Sequence, residues 1–249
     1  MLREYHDKPW GLHAQKIWPG GQRGTQPAQW SIGYHLQRSI EYNLDLMEMD
    51  LFRELRLWGS AMPPVIVASD GRLDTEQPAS VAVVVVDQVS GRRMAFVGYI
   101  PAILRERWAA LGNADHEHHY IAMVEQAVII MGLNECATWW SGRDIVWFVD
   151  NSVVLAGAAK GQNHNDELDS ANAAIQLTLA QMRTRCWWEY ISSEANWADG
   201  PSRLMERDPW LAKEGFVVKT GRIPVWPWMG CSSRRVTEAM KLTRGECNA

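Results

Sequence analysis

The chain has 249 residues, 47% of them hydrophobic and 22% charged, with 25 Lys+Arg against 29 Asp+Glu for a net charge of −4. Those proportions exclude a mainly disordered, collagenous or coiled-coil chain and suit one large domain, or one ordinary domain with substantial flanks. No strongly basic global field is present, so any grip on nucleic acid has to come from local patches.

The first 62 residues hold a Gly/Pro-rich loop, from Trp18 to Pro27, and then Leu36, Ile40, Leu44, Met47, Leu51 and Leu55. Spacings of three and four predict an amphipathic helix, ended by Gly59 and the Pro63-Pro64 pair. After Pro64 the pattern changes to strands. Residues 65–68 form a short apolar run closed by Ser69-Asp70-Gly71, residues 79–86 are rich in β-branched side chains, and residues 92–100 follow a turn. Links this short predict an antiparallel meander. A helix with Ile121, Val124, Val128 and Met131 on one face comes next, with Gly132 as its expected stop. Residues 145–149 read as a strand buried on both faces. Helices follow over 152–160, closing at Lys160-Gly161, and over 166–182. A fifth strand covers 185–191, and a short helix opens near Asn196. The predicted fold class is α/β: a five-stranded mixed sheet, three antiparallel strands then parallel ones, with helices on both faces. The boundaries drawn from this pattern are 1–62 for the N-terminal loop and helical segment, 63–206 for the domain, and 207–249 for an irregular tail carrying Pro209, Pro224 and Pro227.

Four cysteines (Cys136, Cys186, Cys231, Cys247) are scattered with no CxxC pair, and residues 1–20 lack the apolar core of a secretory signal. The longest apolar run, residues 81–86, is the length of a strand. The expectation is a soluble intracellular protein with no membrane partner. Fourteen tryptophans, spread from Trp10 to Trp228, could stack on bases. Packing inside the core is the simpler expectation.

The candidate chemistry is a set of carboxylates at the ends of these elements. Asp70 ends the first strand, Glu125 lies in the first helix after the meander, Asp150 ends the fourth strand, and Asp199 lies at the start of the last helix. If the first and fourth strands are neighbours, Asp70 and Asp150 emerge side by side, and a crossing helix can lower Glu125 onto them. Converging acids without basic partners repel unless divalent cations lie between them. Oxygen-only ligation points to Mg²⁺ or Mn²⁺. Two such ions can activate a water and stabilise the leaving oxygen of a phosphodiester. Each acid also has a structural reading. Asp70-Gly71 is a common turn pair, Glu125 could lie on a solvated helix face, Asp150 could cap the following helix, and Asn196 with Asp199 could form a capping pair.

The segments Val67-Ala-Ser-Asp-Gly71, Ile121-Ala-Met-Val-Glu125, Val146-Trp-Phe-Val-Asp-Asn151 and Glu194-Ala-Asn-Trp-Ala-Asp-Gly-Pro-Ser-Arg203 resemble, in this order, the ribonuclease H type 1 domain that follows reverse transcriptase in retroelements. The last segment looks like the Asn-x-x-Ala-Asp-x-x-Ser-Arg closing motif of retrotransposon domains. The resemblance covers residues 63–206. It implies an RNase H-like fold and makes Asp70, Glu125, Asp150 and Asp199 the catalytic acids holding two Mg²⁺ or Mn²⁺ ions. It also implies an RNA–DNA hybrid as substrate, cut in its RNA strand. Lys160, one helix beyond Asp150, is the expected backbone contact, and Asn151 and Asn196 are also expected at the nucleic acid. Residues 1–60 resemble the helical connection that follows a polymerase, which makes a reverse transcriptase module an expected partner. No Tyr-x-Asp-Asp polymerase motif occurs, and Tyr190-Ile-Ser-Ser-Glu-Ala-Asn196 lacks the histidine that cellular relatives carry there. The alternative is a catalytically inactive domain that kept the fold for binding or scaffolding. A 3′–5′ exonuclease of the same fold is disfavoured because Asp70-Gly71-Arg72 lacks the Asp-x-Glu pair. His116-Glu-His-His119 is a weak zinc motif, since adjacent imidazoles rarely converge on one ion. No P-loop or Gly-x-Ser-x-Gly elbow is found.

Overall fold

Period-two alternation along the strands builds two unlike sheet faces. On one face lie the branched and aromatic residues Val65, Val67, Val81, Val83, Val85, Phe96, Ile145 and Trp147. On the other lie the smaller Ala68, Ala82 and Ala95, with Val84 and Val97. The computed structural model describes residues 62–73, 78–110 and 116–228 of the larger of two units, residues 45–249, and only Ile40 and Leu44 of the other, residues 1–44. Those two residues are helical; the rest of the helix expected over 36–55 lies outside the described residues, as do the side chains of residues 116–119 with the weak zinc motif.

The strands are β1 (Val65–Arg72), β2 (Ser80–Asp87), β3 (Arg92–Tyr99), β4 (Asp144–Val149), β5 (Arg185–Tyr190) and β6 (Val217–Thr220). They form a single mixed sheet in the order β5-β4-β1-β2-β3-β6. The meander β1-β2-β3 is antiparallel, whereas β4 pairs parallel with β1 and β5 parallel with β4. The α/β class and the antiparallel-then-parallel order are as expected. The strand count is corrected from five to six: β6 comes from the segment read as an irregular tail and pairs parallel with the outer edge of β3. It is only four residues long, too short for a clear alternation, and it covers an edge that would otherwise be open. Helix α6 (Pro209–Lys213), capped by Asp208 with proline in its first turn, precedes it. Ordered structure therefore continues past residue 206.

The branched face is covered by α1 (Ala102–Ala110), α2 (His116–Trp140), α3 (Ser152–Lys160) and α4 (Asp166–Gln181). Helix α2 runs on for two turns beyond Gly132, which is not a stop. A Cβ there would meet the Trp147 ring at 2.8 Å, so the glycine serves close packing of helix on sheet. The stretch from Tyr120 to Trp140 is long and apolar enough to cross a membrane, but 72% of its most apolar window is buried inside the protein. It packs across β1 and β2 and against α4, the setting of a core helix. The smaller-residue face takes the short α5 (Asp199–Leu204), which the alanines allow to lie close over β1 and β2.

Tryptophans fill the core. Trp140 meets Trp147 edge-on with ring centroids 5.6 Å apart, Trp147 continues to Trp188, and Trp108 packs on both Tyr120 and Trp228. Trp187, 67% exposed on the edge strand β5, is an exception.

Candidate active site

The parallel pairing of β1 with β4 reaches Ala68 opposite Phe148. Two residues further along each chain are Asp70 and Asp150, so the two carboxylates leave the sheet side by side at the carboxyl ends of parallel neighbours. Open sheets with parallel strands bind ligands at this end. Asp70 is not in a turn: β1 continues to Arg72. Its neighbour Gly71 is where α2 crosses the strand. A Cβ at Gly71 would meet Val124 Cγ1 at 2.8 Å and the Glu125 backbone nitrogen at 3.2 Å. The missing side chain lets the helix descend and delivers Glu125 to the site.

The capping readings fail for local reasons. Asn151, not Asp150, caps α3: its Oδ1 accepts from Val153 N at 3.0 Å and Val154 N at 3.3 Å. Its Nδ2 donates to Glu125 Oε1 at 3.1 Å, so one side chain both starts α3 and orients an acid. Asp150 is left to face the cleft, and its Oδ1 is buried without a hydrogen-bond partner. Asn196 is 5% exposed. It donates from Nδ2 to Ser69 O at 3.0 Å and accepts at Oδ1 from Ala198 N at 3.1 Å. Expected at the nucleic acid, it instead ties the last loop to β1. Helix α5 starts at Asp199 with Ala198 in the cap position and no side-chain cap.

Asp70, Glu125, Asp150 and Asp199 all line one open cleft of about 420 Å³, with Arg72 and Arg203 at its wall. Lys160 ends α3, exposed and outside this lining. Glu125 is 8% exposed, and burial pushes its carboxyl up to about 8, with the charges of Asp150 and Asp70 adding to the rise and the Asn151 hydrogen bond opposing it. Its Oε2 is buried without a partner. Asp70, also 8% exposed, is raised to about 6, chiefly by burial. The Ser202 hydroxyl, which donates to Asp70 Oδ2, and the charge of Arg203 oppose that rise, and Asp150 and Asp199 add to it.

Two residues of the closing motif were given no chemical role in the sequence reading. Ser202 is fully buried and reaches Asp70 across 132 positions of sequence. Arg203 pairs with Asp199, Nε and Nη2 lying 2.9 and 2.6 Å from Asp199 Oδ1. The acids are therefore not all without basic partners, as had been expected. The i,i+4 spacing of Asp199 and Arg203 on one helix was the available signal. As they stand, no three His, Cys, Asp or Glu side chains among the described residues are grouped closely enough to chelate an ion. The four acids offer oxygen ligands only, two of them buried carboxylate oxygens lacking hydrogen-bond donors, a donor set that could hold a hard divalent cation.

No family model matches the chain, and no curated protein matches it in sequence. Among solved structures, it is similar to RNase H1 from the archaeon Halobacterium salinarum, with 19% identity and a TM-score of 0.42 over 56% of this chain and 95% of that one. It is also similar to the N-terminal RNase H domain of a Mycobacterium tuberculosis protein, with 16% identity and a TM-score of 0.43 over 61% and 97%. A compost metagenome RNase H1 gives 15% and 0.41 over 57% and 91%. What the cleft can do rests on its own geometry.

Proposed function

We propose that this chain is a metal-dependent endonuclease that hydrolyses the RNA strand of RNA–DNA hybrids. The observation that carries the reading is the pair of buried, donor-less oxygens, Glu125 Oε2 and Asp150 Oδ1, on a cleft that Asp70 and Asp199 also line. Buried polar atoms normally find partners, and a carboxylate oxygen without one asks for a cation. All-oxygen ligation suits Mg²⁺ or Mn²⁺.

In this reading Asp70 and Asp150 would flank the ions, Glu125 would hold the one on the water side, and Asp199 would complete the other. When bound, such ions activate water and neutralise charge developing on a phosphodiester. The chain's own residues set the stage. Asn151 fixes the Glu125 carboxyl, Ser202 fixes Asp70, and Asn196 pins the loop before Asp199 to β1. A side-chain nucleophile is not needed, because water serves. The choice of RNA in a hybrid, a retroelement origin, and a reverse transcriptase module as partner are supported by the four sequence segments and above all by the closing motif from Asn196 to Arg203. An intracellular location accords with the free Cys136 and Cys186. A second reading, a binding domain without catalysis, has one observation in its favour: Arg203 already neutralises Asp199.

The test is incubation of the purified chain with an end-labelled RNA–DNA hybrid in Mg²⁺, in Mn²⁺ and in chelator. Metal-dependent cutting confined to the RNA strand is the expected result. A folded protein that binds the hybrid and never cuts it would be the scaffold.

A further inference from the structure

We propose that Arg203 is a built-in cation that keeps Asp199 closed to metal, so that the free protein takes one divalent ion rather than two. The inference rests on the metal-dependent reading above and deepens it, because it assigns unequal roles to the four acids.

The cleft is asymmetric. Asp150 Oδ1 and Glu125 Oε2 are buried with no donor, and Asp70 receives a hydroxyl. Asp199 is paired with the Arg203 guanidinium, and both donors, Nε and Nη2, converge on the same oxygen, Oδ1. The cause is local: in α5 (Asp199–Leu204) residues four apart lie one above the other. An ion approaching Asp199 therefore finds that oxygen taken and meets a fixed positive charge. An ion approaching the other three acids meets Glu125 Oε2 and Asp150 Oδ1, two buried oxygens that no hydrogen-bond donor occupies. The side chains of Arg203 and Asp199 are 56% and 33% exposed, so the pair is a weak contact by itself. Its effect is on where a cation settles, not on whether the fold holds.

Titrating the metal-free full chain with Mn²⁺, by calorimetry and by loss of the free-ion paramagnetic resonance signal, reads the stoichiometry directly. Wild type is expected to bind one ion per chain, Arg203→Gln two, and Arg203→Lys, which keeps the charge, one. Asp199→Asn supplies a separate test should Arg203→Gln not fold: it should still bind one ion, because Asp199 ligates nothing in the free protein. Two ions on wild type, one on a folded Arg203→Gln, or none on Asp199→Asn overturns the assignment to Arg203 while leaving the metal-dependent reading intact. No ion on wild type overturns both.

Discussion

Replacing Glu125 by Gln should stabilise the metal-free protein, and by more as the pH rises. The carboxyl is buried and lifted from an ordinary 4.5 to about 8, so between those values the folded state holds a proton that the unfolded state has released. Stability therefore falls as pH climbs through this window, is fully penalised above about 8, and is unpenalised below about 4.5. At pH 7 the unfolded carboxyl lies about 2.5 pH units above its pKa while the folded one is still mostly protonated, a cost of about 3 kcal/mol. At pH 9 the cost approaches about 5 kcal/mol. Glutamine keeps the shape, and its amide oxygen can still accept the hydrogen bond from Asn151. At about 2–4 °C per kcal/mol for a chain of this size, removing the charge should raise the melting temperature by several degrees at pH 7 and further at pH 9. Thermal and urea melts in chelator from pH 4.5 to 9 measure this. The Glu125→Gln and wild-type curves should converge at the acid end and separate towards the alkaline end. Parallel curves, or a variant less stable than wild type at pH 9, would refute the burial argument. Added Mg²⁺ should raise the wild-type melting temperature more than that of the variant, because an ion that binds only the folded state stabilises it.

Three further perturbations follow from single contacts. Asp150→Asn should lower hybrid cleavage by about 10³-fold, the several kcal/mol that metal-assisted charge stabilisation supplies, while a far-ultraviolet spectrum and melt show the fold kept; full activity in that variant would remove Asp150 from the site. Gly71→Ala places a methyl group against Val124 Cγ1 and the Glu125 backbone, which should cost about 1–3 kcal/mol in a urea melt and weaken Mn²⁺ binding as α2 is pushed from β1. Arg143→Ala strips two donors, 3.0 and 3.3 Å away, from the carboxylate of Asp87, which is 3% exposed. It should cost about 3–5 kcal/mol as a buried charge loses its partner, and Asp87→Asn in the same chain should recover part of that loss.

The parts of the fold and of the cleft differ in how far they could be read from the chain. Asp70 and Asp150 were legible as candidates because each comes just after an apolar run, and strands announce themselves by β-branched runs and period-two alternation. Their registration, two residues past the Ala68–Phe148 pair, needed only that β1 and β4 be adjacent. Gly132 was misread because a glycine late in a helical pattern looks like a stop, whereas here a tryptophan from β4 occupies the space a side chain would take. The tail was misread for the opposite reason: Val217–Thr220 is too short and too exposed to show a pattern, and it becomes a strand by pairing with β3.

Sequence by itself determined most of the helices and strands between residues 63 and 206 and singled out the four acids on them, because side-chain spacing along the chain reports the period of the local backbone. Tertiary structure alone decided what each acid meets there. The hydroxyl on Asp70 arrives from Ser202, the amide on Glu125 from Asn151, and the tie between the last loop and β1 from Asn196, across 132, 26 and 127 positions respectively. Contacts at such separations are set by how helices pack on the two sheet faces, and local periodicity carries no record of that packing. The same packing buries Glu125 and lifts its pKa, turning a residue that reads in sequence as one helical glutamate among many into the most perturbed acid of the cleft.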